Sequence, residues 1–161
     1  MVAVDSPEGA ERPAEFALDL ATMSHAELVL VHVKTPSLAF VPPFGAGMPV
    51  VLPARAWTTD DGDEEKTSRW MTRFTWAAEE RGLKAKSKVV PADVPVAERV
   101  LDEAEKEDVD LLVTGAKDWS TMERLLFGSV SSDIVKKAKI PVLVVRSTAA
   151  GNDEAKGAAS P

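Results

Sequence analysis

The residues best suited to chemistry in this chain are few and far apart in sequence. Asp5 closes the short apolar run "VAV" (Val2–Val4), and the stretch "GAKDWSTMERLLFGS" runs from Gly115 to Ser129. A carboxylate at a strand end can accept hydrogen bonds from an amino group and a ring hydroxyl. Glycines at a strand-to-helix joint let backbone N–H groups close around an anion. Gly128 and Ser129 stand just before an apolar helical pattern, where free N–H groups would point toward such an anion. Ser129 could cap that helix or bond a phosphate oxygen. Asp118 opposes this chemistry, since its carboxylate repels phosphate unless it turns away or is bridged by Mg²⁺. Lys117 beside it partly compensates.

The other chemistry-bearing residues read as structural. His32 lies within an apolar strand and reads as packed; His25 lies in a helix–strand connection and reads as exposed. There is no cysteine, which excludes disulfides and thiolate metal sites, and two distant histidines make a poor zinc site. Trp119 reads as a packing residue, and "DDGDEE" (Asp60–Glu65), which lacks EF-hand spacing, as a solvated helix start. Gly45 and Gly47 neither follow a strand nor open a helix, and no Walker A sequence is present. No general base or nucleophile stands beside the glycine loop, so no catalytic residue is assigned.

The elements that must position these residues alternate along the chain. Val2–Val4 predicts a strand, followed by turn residues Ser6, Pro7 and Gly9. Residues 11–23 predict a helix with Phe16, Ala17, Leu20 and Ala21 on its inner face. "ELVLVHV" (Glu27–Val33) is apolar at nearly every position, as in a parallel strand buried on both faces. Residues 34–59 form a long apolar loop holding Pro36, Pro42, Pro43, Pro49 and Pro53. A helix from about Asp63 to Arg81 turns Trp70, Met71, Phe74, Ala77 and Ala78 inward and stops at Gly82. "LKAKSKVV" (Leu83–Val90) alternates as an edge strand does, and 95–106 predicts a helix with Val96, Val100, Leu101 and Ala104 inward. "VDLLVTG" (Val109–Gly115) is a strand, 129–138 a helix with Val130, Ile134, Val135 and Ala138 inward, and "PVLVV" (Pro141–Val145) the last strand. The tail from 147 to 161 reads as disordered.

This alternation predicts an α/β fold, an open five-stranded parallel sheet with helices on both faces. Such a sheet takes ligands beyond the carboxyl ends of its strands, where strand order reverses. Asp5 and Gly115 end the first and fourth strands, and in a flavodoxin-like sheet or its relatives these two ends flank that point.

The chain has 161 residues, enough for one sizeable core, and a net charge of −7 from 19 basic and 26 acidic residues. That balance argues against a nucleic-acid or anionic-membrane binder. Met1 is followed at once by "VAVD", with no basic leader and no apolar segment of membrane-spanning length. A start a little upstream is compatible with this. The cytoplasm is the expected compartment.

Three stretches make the chain resemble the universal stress protein (UspA) family: "VAVDSPEGAERPAEFALDLA", "ELVLVHV" and "VDLLVTGAKDWSTMERLLFGSVSSDIVKKAKIPVLVVR". Nucleotide-binding members carry G-x2-G-x9-G-[ST]. Gly115, Gly128 and Ser129 fit that pattern, and Asp118 replaces its second glycine. The resemblance implies strand order 3-2-1-4-5 in an adenine nucleotide alpha hydrolase-like, Rossmann-like sandwich, with residues 1–146 as the domain. It implies an adenine held by Asp5 and the backbone at Val33. The ribose and phosphates would lie along Gly115, Gly128 and Ser129, with Val130 supplying a further N–H. The implied ligand is ATP, AMP or a related adenine nucleotide, with Mg²⁺ as a possible companion. The implied partner is a second copy of the chain, joined through the last strand.

Two functions follow. One is a dimeric, nucleotide-responsive regulator of the stress response, with at most slow incidental ATP hydrolysis. The other is a nucleotide-free interaction module. It is favoured by Asp118 and by exposed apolar loop residues such as Phe40, Val41, Phe44, Val50 and Val51. An enzyme activating a substrate with ATP is a weaker third reading, lacking a fuller phosphate motif and a second site.

Overall fold

In the computed structural model, residues 1–35, 61–116 and 129–146 are described. Residues 36–60, which hold most of the predicted loop 34–59, the stretch 117–128 with Lys117, Asp118, Trp119 and Gly128, and residues 147–161 lie outside the described residues. Lys34, read as the start of that loop, is the last residue of a strand.

The described elements run β1 (Val2–Val4), α1 (Pro7–Ser24), β2 (Leu28–Lys34), α2 (Asp61–Glu80), β3 (Ala85–Pro91), α3 (Val96–Lys106), β4 (Leu112–Ala116), α4 (Ser129–Lys137) and β5 (Val142–Arg146). The strands form one sheet of order β3-β2-β1-β4-β5, and every neighbouring pair is parallel. This is the expected architecture. The predicted edge strand is β3, and order reverses between β1 and β4.

Each face of the sheet carries its own core. Val2, Val4, Leu28, Leu30 and Val113 pack under α1 and α2, with Ala14, Leu18, Trp70 and Met71. Val29, Val31, Val33, Val90 and Leu112 pack under α3 and α4, with Ala97, Val100 and Ile134. This alternation explains why β2 reads as continuously apolar: Leu28, Leu30 and Val29, Val31, Val33 serve opposite layers. On α2 the Trp70 and Phe74 rings stack with centroids 5.2 Å apart.

Three details differ from the sequence reading. The helix α1 begins at Pro7, so Pro7 and Gly9 belong to it and only Ser6 stands before it. Ser6 caps it by accepting a hydrogen bond from Gly9 N–H at 3.2 Å, and Pro7 suits a position whose N–H would be unused. The inner stripe of α1 is Ala10, Pro13, Ala14, Ala17, Leu18 and Ala21, while Phe16 is 50% exposed. Phe16 falls one residue, about 100°, off the stripe. The inner face of α4 is Ser131 and Ile134; Val130 and Val135 are 38% and 48% exposed. Periodicity in apolar residues alone misplaced this face, because one buried position is a serine.

The stops are polar-backbone devices. Gly82 ends α2 at φ 78°, as expected. His25 and Asp108 take left-handed conformations, φ 54° and 50°, after α1 and α3. The exposure of His25 agrees with the sequence reading. No helix among the described residues is long and apolar enough to cross a membrane.

Candidate functional site

Register carries the separated residues toward one another. Val4 on β1 pairs with His32 on β2, and Ala3 pairs with Thr114 on β4. The next residues are Asp5, Val33 and Gly115. They therefore lie at the carboxyl ends of three neighbouring strands, at the point where strand order reverses. This is the crevice position of a doubly wound sheet.

Asp5 is exposed and its carboxylate is oriented locally. Its Oδ1 accepts the Ser6 N–H at 2.7 Å and faces the Ser6 hydroxyl at 3.4 Å. Val33 is buried, with its side chain in the α3/α4 core, so only its backbone can serve a ligand. His32 is half-buried and its Nδ1 lies 2.9 Å from the Val4 carbonyl oxygen. That oxygen accepts only, so Nδ1 carries the proton. His32 thus holds the last peptide of β1, which accords with a structural reading of this residue.

Gly115 is half-buried on β4 against α1. A Cβ added there would lie 3.1 Å from the Gly9 carbonyl oxygen and 3.2 Å from Pro13 Cγ. Pro13 has no N–H to offer the Gly9 carbonyl, four residues before it in the helix. The missing hydrogen bond and the missing side chain meet at one contact. Gly115 therefore has a packing reason to be glycine, whatever it does for a ligand.

Ser129 and Val130 open α4 and are exposed. The residue that fixes this helix to the crevice is Ser131, which sequence reasoning missed. It is 5% exposed, and its hydroxyl donates to the Gly115 carbonyl oxygen at 2.7 Å. The first turn of α4 is thereby docked on the end of β4, and its N–H groups, which have no partner within the helix, lie beside the strand ends. The signal was the second serine of "GSVSS", at a position where a buried hydroxyl must find a partner. Of the expected residues, Asp5, Val33, Gly115, Ser129 and Val130 are thus placed around the crevice. Gly128 lies outside the described residues.

The concavity of about 390 Å³ on the outer side of α2 is a different place. Its lining is Ser68, Arg69, Thr72, Arg73 and Trp76, with none of the strand-end residues.

The fold and the strand-end crevice define an α/β protein of the doubly wound class. Residues 1–146 match the universal stress protein family, and the chain belongs to that family. A universal stress protein of Methanocaldococcus jannaschii is 30% identical over 148 residues, covering 91% of this chain and 80% of the relative. The universal stress protein from Archaeoglobus fulgidus, solved in complex with dAMP, superposes with a TM-score of 0.57 at 22% identity, covering 89% of this chain and 93% of that one. A universal stress protein family protein from Arabidopsis thaliana, solved with AMP bound, gives a TM-score of 0.55 at 17% identity, covering 88% and 79%. At these identities the structures establish the fold.

Proposed function

We propose that this chain binds ATP or a related adenine nucleotide at the strand-end crevice and acts as a nucleotide-responsive regulator in the stress response. The observation that carries the reading is the convergence of Asp5, Val33 and Gly115 on adjacent strand ends, with α4 docked there by the Ser131–Gly115 hydrogen bond. Asp5 would take the adenine together with backbone at Val33. The backbone at Gly115 and Gly128 would pass along the ribose and phosphates. Ser129 and the Val130 N–H would meet phosphate oxygens at the positive end of α4. Relatives of the same fold solved with dAMP and AMP support the ligand class.

The reading is of a binding protein rather than an enzyme. The site offers hydrogen-bond donors and an adenine acceptor, and any ATP hydrolysis would be slow and incidental. A carboxylate at Asp118 would repel phosphates brought close to it unless it turned away, and Mg²⁺ would bridge the two. The functional unit is residues 1–146, in the cytoplasm, as a homodimer through β5 and without nucleic-acid or membrane partners. Asp118 in place of the motif's second glycine favours the competing reading, a nucleotide-free interaction module.

Thermal unfolding with AMP, ATP and cyclic AMP, each with and without Mg²⁺, tests the proposal. A ligand that binds only the native state raises Tm with concentration. The expected result is a saturable rise with at least one adenine nucleotide. No rise at millimolar nucleotide contradicts the binding reading and leaves the interaction module.

A further inference from the structure

Gly9 has no conformational reason to be glycine. It is the third residue of α1, with ordinary helical backbone, where glycine is disfavoured relative to alanine. Its reason is spatial. A Cβ at this position would lie 2.6 Å from Asp5 Oδ1 and 3.2 Å from Ser6 Oγ. The first distance is too short to exist. The end of the Asp5 side chain must give way most, and the Ser6 hydroxyl by a few tenths of an ångström; neither is backbone or core.

The same carboxylate oxygen is held from the other side by the Ser6 N–H at 2.7 Å. Ser6 Oγ in turn accepts the Gly9 N–H at 3.2 Å. Gly9, Ser6 and Asp5 therefore form one small unit. The helix start sets Ser6, Ser6 sets the carboxylate, and the bare Cα of Gly9 leaves the room it occupies.

We infer that Gly9 is a positioning residue for nucleotide recognition: it fixes the orientation in which the Asp5 carboxylate meets an adenine base. The inference rests on the nucleotide reading above and deepens it. An aspartate is a short side chain, so a displacement forced at Oδ1 rotates the whole carboxylate plane. A hydrogen bond to a charged acceptor weakens steeply as its angle departs from linear. The substitution Gly9→Ala should therefore act mainly on the Asp5 carboxylate, with only a small adjustment of the Ser6 cap and none of the core.

The test is a double-mutant cycle read by calorimetry, with AMP and GMP as ligands and Tm measured in parallel. Gly9→Ala is expected to weaken AMP binding about tenfold or more and to narrow the preference for AMP over GMP, while Tm stays level or rises. In an Asp5→Ala background, Gly9→Ala should leave AMP affinity unchanged, because no carboxylate remains to be displaced. A purely structural glycine would lower Tm and weaken binding in both backgrounds alike, and that result overturns the inference. Wild-type protein that binds AMP, with Gly9→Ala binding equally well, overturns the inference alone. Wild-type protein that takes no AMP at millimolar concentration overturns the nucleotide reading and this inference with it.

Discussion

Ser131 and Gly115 show how single residues hold the crevice together. The Ser131 hydroxyl ties α4 to the end of β4 through its hydrogen bond to the Gly115 carbonyl oxygen. Replacing it with alanine leaves the Gly115 carbonyl without this donor in a mostly buried setting. Ser131→Ala is expected to lose about 1 kcal/mol of stability in urea unfolding, and to weaken nucleotide binding because α4 is no longer anchored. Gly115→Ala acts differently. Its Cβ meets the Gly9 carbonyl and the Pro13 ring, neither of which is a flexible chain end. A loss of about 1–3 kcal/mol, as for overpacking elsewhere, is expected from the same measurement. At this scale the sequence was only partly legible. Asp5, Gly115 and Ser129 were singled out in sequence because strand ends and helix starts announce such positions. Ser131 and the true role of Gly9 were not, because both depend on what faces them across a contact. Gly9 reads as a turn residue in sequence and is a helical residue beside a carboxylate in space.

At the scale of elements, the chain places its boundaries by capping and its faces by periodicity. The strands and helices were legible to within a few residues because apolar runs, Gly82 and Pro95 mark most of their limits, whereas Pro7 read as a turn residue and in fact opens α1. The faces of α1 and α4 were less so, since Pro13 and Ser131 occupy buried positions that an apolar count skips. The contact of α3 with β3 was not legible at all. Glu103 is 3% exposed on α3, and its carboxylate accepts from Lys88 and Lys106, each at 2.8 Å. Lys88 also donates to Glu107 at 2.7 Å, and Lys86 pairs with Glu107 as well. The hydrogen bonds from Lys106 and Lys88 hold the Glu103 carboxyl down at about 2, from an ordinary 4.5. Lys86 and Lys88 lower Glu107 in the same direction.

A carboxyl whose pKa is depressed by folding stabilises the native state above its unfolded value. That contribution is lost as pH falls toward the folded value. Stability should therefore decline between about pH 4.5 and 2 as Glu103 is protonated. Urea midpoints across this range should fall less steeply for Glu103→Gln than for the wild type. Equal slopes would show that Glu103 does not carry the acid response. At neutral pH, Glu103→Gln is expected to cost about 1–3 kcal/mol, because it weakens two lysine hydrogen bonds at a buried site.

At the scale of the whole molecule, the two edges of the sheet differ. The β3 edge is polar, with Lys88 engaged by Glu103 on α3 and Lys86 by Glu107 just after it. The β5 edge is apolar, and Val142, Leu143, Val144 and Val145 are each half-exposed. An apolar edge with open hydrogen-bonding groups invites a second strand. A second copy of the chain would cover it, which is the basis for the proposed homodimer. Val144→Lys is expected to shift sedimentation from dimer to monomer while leaving the circular dichroism unchanged. A wild-type chain that sediments as a monomer at every concentration would contradict this assembly. The layered architecture was legible from strict β/α alternation, which with right-handed crossovers implies a parallel sheet covered on both faces, whereas the order β3-β2-β1-β4-β5 was legible only through the family resemblance.

The central claim is that an adenine base is read at the end of β1. Calorimetric titration of the wild type and of Asp5→Ala with AMP and ATP tests it most directly. The account predicts saturable binding to the wild type and a loss of about tenfold or more in the variant, with the fold retained. Equal binding by both proteins would contradict the placement of the base at Asp5. An absence of binding by the wild type would contradict the nucleotide function itself.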